Sequence, residues 1–381
     1  LFHTIGQLFI NALKMMVVPL VFVSLFCGTT ALKEPAALGS LGGRTLLFYL
    51  MTTAIALVIA ISMALLFDIG TGATLPAAPD YQMKAGQPLS QVLLNIIPSN
   101  PIQAMAEANM LAIIVFAILL GLSANLAGES GRQVTAFFNA FNEVIMKLVM
   151  MIMNAAPYAV FVILAKVFAD IGMSAIAALS GYFITVFMVL MIHLFLVYPT
   201  ILKLTTGLNP FIFLSKMRSA ASFAFGTSSS NASIPVTLRT VTERIGADES
   251  VASFTIPFGA TVNMDGTAIM QGVATIFIAN AYGIDLSMTQ LMVVVVMATM
   301  ASIGTAGVPS AGMIMLQGVF LQVGLPVEGI AIILGIDRLL DMSRTIVNIT
   351  GDATVTCIVS KSQGNFDETV FNDPNAGVIE T

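Results

Sequence analysis

Residues 336–352 read Ile-Asp-Arg-Leu-Leu-Asp-Met-Ser-Arg-Thr-Ile-Val-Asn-Ile-Thr-Gly-Asp, and this stretch decides the fold because its charges recur at helical spacing. At 100° per residue, one helix face collects a polar stripe. The stripe consists of Asp337, Asp341, Arg344, Asn348 and Asp352, with Thr345 at its edge. What this stripe faces depends on the surroundings that the rest of the chain provides.

The composition predicts a membrane protein. Of 381 residues, 57% are hydrophobic and 9% are charged, whereas a soluble domain carries about 25% charged residues. The formal net charge of −5 gives no reason to expect a nucleic-acid partner. The two cysteines, Cys27 and Cys357, lie in apolar runs, so we expect no disulfide framework.

The apolar runs predict an all-α polytopic architecture, because a span needs about 20 apolar residues. The predicted spans are Ile5–Leu32, Thr45–Phe67, Val134–Phe168 and Ala175–Leu202, with a broken apolar stretch over Val92–Leu126. A charge at the bilayer centre costs about 2.5–3.5 kcal/mol. The polar stripe must therefore face protein, water or ions. It lines a binding site, or alternatively it forms buried ion pairs that hold the bundle together.

Two further apolar segments are interrupted by small and polar residues, at 225–235 and 302–312. Each interruption has about 12 to 15 apolar residues on either side, which is half of a bilayer crossing. We therefore predict two re-entrant helical hairpins, hairpin 1 at about 210–242 and hairpin 2 at about 287–323. Each precedes a helix with a central acid, a weak internal repeat that is typical of secondary transporters.

Basic residues give the predicted orientation. They gather on one side if the spans alternate and both hairpins re-enter, and that side is cytoplasmic by the positive-inside rule. These residues are Lys33, Arg44, Arg132, Lys203, Lys216, Arg218, Arg239, Arg244 and Lys361. The C-terminus is then cytoplasmic and Leu1 lies at the outer face, so we expect one further span before it.

A second constellation, Gly259-Ala-Thr-Val-Asn-Met-Asp-Gly-Thr267, interrupts a span with oxygen-bearing side chains and a glycine. Unwound carbonyls and a carboxylate suit a hard monovalent cation such as sodium. The alternative is a helix kink with a capping aspartate. We predict no transition-metal site, because His3 and His193 stand apart in the sequence. A lone membrane histidine is more often packed or hydrogen-bonded than a ligand.

The hairpin tips offer groups for an anion. Ser228, Ser229 and Ser230 supply hydroxyls and amides at a helix break, where half-helix N-termini favour a carboxylate. Three glycines in the second tip, Gly304, Gly307 and Gly312, permit close approach to a ligand. A solvated turn is the alternative for the serine run alone.

These motifs resemble the dicarboxylate/amino acid:cation symporters, the glutamate transporter family. The resemblance rests on the serine-rich first tip, Asn263-Met-Asp-Gly-Thr267, Gly304-Thr-Ala-Gly-Val-Pro309, and Asp341-Met-Ser-Arg-Thr345 followed by Asn348 and Gly351-Asp352. It runs from Leu1 to about Lys361. It implies a glutamate-transporter fold with inverted repeats, a homotrimer, multi-pass insertion in the plasma (inner) membrane and no enzymatic activity.

The resemblance also implies a division of the chain. Residues 1–33 and 86–171 would form a static scaffold and trimerisation domain, and residues 42–70 and 174–361 a mobile transport domain. Residues 362–381 would be a cytoplasmic tail.

The family's functional positions fall on residues of this chain. The resemblance implies that Asp341 binds the amino group of the substrate and Arg344 its side-chain carboxylate. The implied pocket is completed by Ser229, Ser230, Thr267, Gly307, Val308, Thr345 and Asn348. The implied sodium ligands are Tyr49, Thr52, Thr53, Gly259, Thr261, Asn263, Asp265, Ser302, Ile303, Thr305, Asn348 and Asp352. Sodium ions would be co-transported ligands, with no other cofactor.

Three departures from the family pattern refine the prediction. Ser228 and Met342 stand where archaeal and animal members, respectively, carry an arginine, and Arg338 is expected to reach the same place from another turn. Gln271 stands where potassium-countertransporting members have a glutamate, so we expect no potassium or proton step there. Asp341 is present where C4-dicarboxylate carriers lack the amino-binding acid, which favours an amino acid.

The resulting prediction is sodium-coupled symport of aspartate or glutamate by alternating access. The alternative within the same architecture is a proton-coupled glutamate or C4-dicarboxylate symporter, against which Tyr49, Thr52, Asp265 and Asp352 argue. A different class, the intramembrane aspartyl proteases, also uses paired aspartates. The accompanying Arg344 and the two hairpins argue against proteolysis.

Overall fold

The structure is a computed structural model that describes residues 2–30, 41–72, 97–155, 158–159, 161–162, 165, 173–303, 305, 307 and 309–377. Its regular elements in these ranges are all helical. The first half contains α1 (Phe2–Thr30), α2 (Gly43–Leu66), α3 (Pro101–Ala106), α4 (Met110–Leu126), α5 (Gly128–Asn154), α6 (Met173–Ile192), a π turn (His193–Val197) and α7 (Tyr198–Thr206).

The second half contains the broken and polar helices. They are α8 (Pro210–Thr227), α9 (Ser230–Arg239), a π turn (Thr240–Arg244), α10 (Glu249–Val262), α11 (Asp265–Ala281), α12 (Met288–Ser302), α13 (Ala311–Val323), a 3-10 turn (Val327–Gly329), α14 (Ile330–Leu334), α15 (Asp337–Ser362) and α16 (Glu368–Asn372).

Four helices in the described part of the chain are long and apolar enough to cross a membrane. They cover Thr4–Thr30, Gly43–Leu66, Gly128–Ile152 and Ala178–Thr206. The prediction of an all-α polytopic membrane protein is confirmed. The third span begins at Gly128, six residues before its predicted start, because the helix continues into a polar segment that includes Arg132.

Each predicted hairpin contains two short helices around a break. Hairpin 1 is α8 and α9, and α8 is capped at its C-terminus by Ser228, whose φ of 51° is left-handed. The Ser229 hydroxyl accepts the Ala232 N–H at 3.1 Å and so caps α9. Hairpin 2 is α12 and α13, which lie within the predicted 287–323. Its first helix starts in a capping box of Ser287 and Gln290. Re-entry at membrane depth stays a prediction.

The helix predicted around residue 263 is broken into α10 and α11. Asn263 and Met264 leave the helical conformation, with φ of −101° and −117°. Asn348 of α15 reaches across this break. Its Oδ1 accepts the Gly266 N–H at 2.8 Å and its Nδ2 contacts Met264 Sδ at 3.2 Å. The unwound backbone is therefore tied to the charged helix.

The C-terminal segment folds back onto hairpin 1. Lys216 of α8 is buried, and its ammonium donates to the carbonyls of Arg244, Val370 and Asp373 at 2.6, 2.7 and 2.8 Å. A cation at helix C-termini satisfies carbonyls that lack intrahelical partners. Hydrogen bonds from the Thr369 hydroxyl and from two amides hold the pKa of Asp367, which caps α16, below its usual value. Residues 364–377 are thus a packed element of the fold.

Candidate substrate and cation sites

The polar stripe of α15 lies inside the protein. Its side chains face the broken helix and the hairpins, and they are almost inaccessible to solvent. The exposed fractions are 2% for Asp337, 7% for Asp341, 1% for Arg344, 4% for Asn348 and 1% for Asp352. Buried charges require partners. The identity of those partners defines what the site can bind.

Arg344 has two carboxylate partners on its own helix. Its Nη1 and Nη2 donate to Oδ1 and Oδ2 of Asp337 at 2.7 and 3.2 Å, a fork-like pair. Its Nη2 also donates to Oδ1 of Asp341 at 2.6 Å. Nε of Arg344 is buried and has no hydrogen-bond partner among the described residues. The Nε–H of the guanidinium therefore remains available to a ligand.

Hairpin 2 reaches the same carboxylate. The backbone N–H of Ser310, which has a left-handed φ of 63°, donates to Oδ2 of Asp341 at 3.1 Å. The Thr345 hydroxyl donates to the Asp341 carbonyl at 2.9 Å. Thr267 is buried against hairpin 2, where a Cβ on Gly312 would lie 2.6 Å from its Cγ2. The second tip and α15 therefore meet at Asp341.

The two hairpin tips also touch each other. The Ser229 hydroxyl donates to the Gly307 carbonyl at 2.5 Å, and the Asn231 N–H donates to it at 3.1 Å. A Cβ on Gly307 would lie 2.7 Å from both the Ala260 carbonyl and Asn231 Oδ1, so only glycine fits. Ser230 is buried at the same tip. Val308 lies outside the described residues.

A first group of predicted cation ligands surrounds Asp352. Asn263 Nδ2 donates to Asp352 Oδ1 at 2.9 Å. A Cβ on Gly259 would collide with that carboxylate and would lie 2.6 Å from the Tyr49 hydroxyl. Asn263 Oδ1 is a buried acceptor without a hydrogen-bond partner among the described residues. An oxygen left unpaired beside a buried carboxylate suits a hard cation.

A second group surrounds Asp265, which is fully buried. Oδ1 accepts the Thr53 hydroxyl at 2.5 Å, and Oδ2 accepts the Tyr198 hydroxyl at 2.8 Å. Nε2 of His193 lies 3.2 Å from the same Oδ2. Thr52 is buried one residue before Thr53 and donates to the Tyr49 carbonyl at 3.1 Å.

A third group joins hairpin 2 to the end of α10. The Ser302 hydroxyl lies 3.4 Å from the Val262 carbonyl, next to Thr261. Thr305 is buried and donates to the Ala301 carbonyl at 2.8 Å. Of the predicted ligands here, Ser302 contacts the end of α10, and Thr261, Ile303 and Thr305 lie within three residues of the two atoms that meet.

Sequence reasoning missed three participants. Asp337 was placed on the stripe without a partner, yet it holds the guanidinium of Arg344. His193 and Tyr198 were not assigned to any site, although both contact Asp265. Pro199, directly after Tyr198, is the available signal, because a proline disturbs the helix that precedes it. Arg338 is exposed, and that it reaches the place of the family's arginine from another turn stays a prediction.

Comparison with known proteins identifies the family. The sequence profile described as "Sodium:dicarboxylate symporter family" matches residues 1–362. The chain is 32% identical over 372 residues to the proton/sodium-glutamate symport protein of Bacillus subtilis (strain 168), covering 95% of this chain and 86% of the relative. It is 31% identical over 374 residues to the proton/glutamate-aspartate symporter of Escherichia coli (strain K12), covering 95% and 85%.

A third relative, the C4-dicarboxylate transport protein of Bacillus subtilis (strain 168), is 32% identical over 373 residues, covering 96% of this chain and 88% of the relative. These relatives are transporters, and the matches extend over nearly the whole chain. Together with the helical membrane fold, they show that the chain belongs to the sodium:dicarboxylate symporter family, the family of the glutamate transporters.

Proposed function

We propose that this protein is a sodium-coupled symporter of an acidic amino acid, aspartate or glutamate. One observation carries the proposal: the predicted substrate and cation sites contain four buried carboxylates but only one buried guanidinium. The carboxylates are Asp265, Asp337, Asp341 and Asp352, and the guanidinium is that of Arg344. Excess negative charge in a low-dielectric interior must be neutralised by bound cations or by protons. Binding an anionic substrate there raises that requirement further.

The geometry around Arg344 supports an amino acid with a second carboxylate. The ammonium group of the substrate can pair with Asp341. The side-chain carboxylate of the substrate can then accept from the Arg344 Nη2 that Asp341 releases and from the free Nε. The substrate would thus exchange one internal ion pair for two intermolecular ones. The Asp337–Arg344 pair would remain and keep the guanidinium in place.

Oxygen chemistry supports sodium as the coupling ion. Asp352 with Asn263, Asp265 with Thr53, and the hairpin 2 junction supply carboxylate, amide, hydroxyl and carbonyl oxygens. Such groups match the preference of hard monovalent cations. Asn263 Oδ1 is a buried acceptor that a cation would satisfy.

Contacts between the proposed scaffold and transport domains support alternating access. Lys14 of α1 pairs with Glu328, beyond hairpin 2, at 2.8 Å. A Cβ on Gly28, near the predicted cytoplasmic end of α1, would lie 2.9 Å from the Ile303 carbonyl at the hairpin 2 tip. With the predicted orientation, these contacts support an inward-facing arrangement. Hairpin 2, whose tip also reaches Asp341, is the proposed gate over the substrate site.

We further propose a homotrimer with a cytoplasmic C-terminus. The long helix α5 keeps large apolar side chains exposed, among them Phe137, Val144 and Met151. Most of that face is not covered by the described part of the same chain, so lipid or a neighbouring subunit must cover it. Crosslinking in the native membrane tests this assembly: trimeric products support it, and only monomers or dimers contradict it.

The transport proposal is tested by uptake into proteoliposomes. Radiolabelled aspartate, glutamate and succinate are offered with an inward sodium gradient, with choline replacing sodium, and with a proton gradient in choline. We expect accumulation of aspartate or glutamate only with sodium. Equal uptake in choline with a proton gradient would establish proton coupling instead. Preferential accumulation of succinate would identify a C4-dicarboxylate carrier.

A further inference from the structure

The π turn between α6 and α7 places two polar residues on one side of the helix. In a regular α-helix, side chains five residues apart point about 140° apart. Here the Tyr198 N–H donates to the His193 carbonyl, an i to i+5 bond. Pro199 has no N–H to donate to the carbonyl of Phe195, which favours the wider turn. The imidazole and phenol rings are therefore neighbours, with centroids 4.5 Å apart.

Both of these side chains end on the same carboxylate oxygen. The Tyr198 hydroxyl donates to Oδ2 of Asp265 at 2.8 Å, and His193 Nε2 lies 3.2 Å from that atom. All three side chains are completely buried. Oδ1 of Asp265 lies on the other side, against the Thr53 hydroxyl. The two oxygens of one carboxylate thus have different partners.

The third helix of the arrangement, α15, leaves space for the phenol. A Cβ on Gly351 would collide with the Tyr198 hydroxyl and would lie 2.5 Å from Asn263 Nδ2. Gly351 directly precedes Asp352, whose carboxylate accepts that same amide. The Tyr198 hydroxyl therefore lies between the two acidic groups that the proposed function assigns to sodium.

We propose that Tyr198 and His193 are positioning residues of the sodium site at Asp265. This inference rests on the proposed sodium coupling. The Tyr198 hydroxyl, together with His193 in the tautomer that carries the proton on Nε2, fixes the plane of the carboxylate through Oδ2 and leaves Oδ1, beside Thr53, as the oxygen that binds the cation. Without the phenol, the carboxylate can rotate in its pocket, and the site loses its preorganisation.

The test measures sodium binding to purified protein without substrate. Calorimetric titration and the sodium dependence of thermal unfolding report binding independently of transport. Tyr198→Phe removes only the hydroxyl. The matched control is Tyr182→Phe on α6, because Tyr182 is equally buried and its hydroxyl has no hydrogen-bond partner among the described residues. His193→Met removes the second donor, and His193→Gln keeps an amide donor of similar reach.

We expect Tyr198→Phe to weaken sodium binding about tenfold, to raise the sodium KM for uptake, and to leave maximal uptake at saturating sodium largely intact. Tyr182→Phe should bind sodium like the wild type. His193→Gln should retain more affinity than His193→Met. Unchanged sodium affinity in Tyr198→Phe, with the wild type binding sodium normally, overturns this inference alone. If the wild type binds no sodium, the proposed function fails instead.

Discussion

The guanidinium of Arg344 is held by the carboxylate of Asp337, seven residues earlier on the same helix, at 2.7 and 3.2 Å. Both groups are buried, with exposed fractions of 1% and 2%. Two turns of helix place them on one face, so the pair forms within a single rigid element. Nη2 of Arg344 also donates to Asp341, and its Nε has no hydrogen-bond partner among the described residues.

Asp337→Asn should weaken substrate binding because it releases this anchor. A neutral amide cannot match both guanidinium donors with charge-assisted hydrogen bonds. We expect the KM for aspartate to rise by about tenfold or more, which corresponds to about 1.4 kcal/mol. The control is Asp285→Asn, an exposed carboxylate just before hairpin 2. Uptake kinetics in proteoliposomes measure the effect, and equal KM values in the two variants would contradict the anchoring role.

Arg344→Cys should change substrate selection. The acidic side chain of the substrate then meets a buried thiol in place of the guanidinium. Asp341 still offers a partner for the ammonium group of any amino acid. We expect uptake of aspartate and glutamate to fall about 100-fold or more, about 2.7 kcal/mol, and uptake of serine, alanine or cysteine to appear. Arg338→Cys, at an exposed position on the same helix, is the control. Near wild-type aspartate affinity in Arg344→Cys would falsify the substrate assignment.

Asp352→Asn should weaken sodium coupling. The substitution removes one of the two carboxylates next to Asn263 and Tyr198 and keeps the side-chain volume. We expect half-maximal uptake to need about tenfold more sodium, with a shallower dependence on sodium concentration. Glu129→Gln, which changes an exposed carboxylate on α5, serves as the control. If sodium titrations of uptake coincide for the wild type and Asp352→Asn, this residue is not a sodium ligand.

Hairpin 2 should close over the bound substrate. Ser310→Cys, in a chain with Cys27 and Cys357 replaced by serine, puts a thiol at the partly exposed tip while retaining the backbone N–H that reaches Asp341. In detergent, we expect maleimide to label it in apo protein and at least fivefold more slowly with aspartate plus sodium, since gates over binding sites close on their ligands. Ser287→Cys, at the exposed base of the same hairpin, should react equally in both states. Equal rates at Ser310→Cys would remove the gate assignment.

The ion pair between Lys14 and Glu328 should stabilise the conformation described here. It joins α1 to the segment after hairpin 2 and is partly exposed, with side-chain fractions of 37% and 29%. For such a pair, a coupling of about 0.2–1 kcal/mol is expected. Lys14→Met and Glu328→Gln should each change the maximal uptake rate, and the double variant should add nothing further. Neutralising the Arg239–Glu243 pair at the end of hairpin 1 is the control. Fully additive effects would show that the contact does not govern transport.

The helical spacing of polar residues and the lengths of the apolar runs predicted much of the fold. The spacing of Asp337, Asp341 and Arg344 predicted one polar face, and the three side chains do lie together and buried. The short apolar arms around residues 225–235 and 302–312 predicted a pair of short helices around each interruption, and the structure has such pairs, while their re-entry stays a prediction. Such patterns are local, because the repeat of a helix and the length of an apolar run are properties of neighbouring residues.

Partners across the bundle were less predictable. Asp265 was expected to face a cation, but its contacts with His193 and Tyr198 join residues 72 and 67 positions apart. No periodicity within α6 connects them, because the π turn changes the register of that helix. Lys216 was counted only as a basic residue for orientation, and its three carbonyl partners come from two distant segments.

The sequence by itself determined that this is a helical membrane protein, which faces must be buried, and which family its motifs match. The composition leaves too few charged residues for a water-facing surface of ordinary size, and charges at helical spacing cannot all face lipid. The tertiary structure decided which buried acid pairs with which donor: Asp337 with Arg344, Asp352 with Asn263, and Asp265 with Tyr198 and His193. The physical reason is that helical periodicity specifies only the direction in which each side chain points around the axis of its own helix. The group that lies in that direction depends on how separate helices pack and where breaks such as Asn263 and the π turn reset their faces.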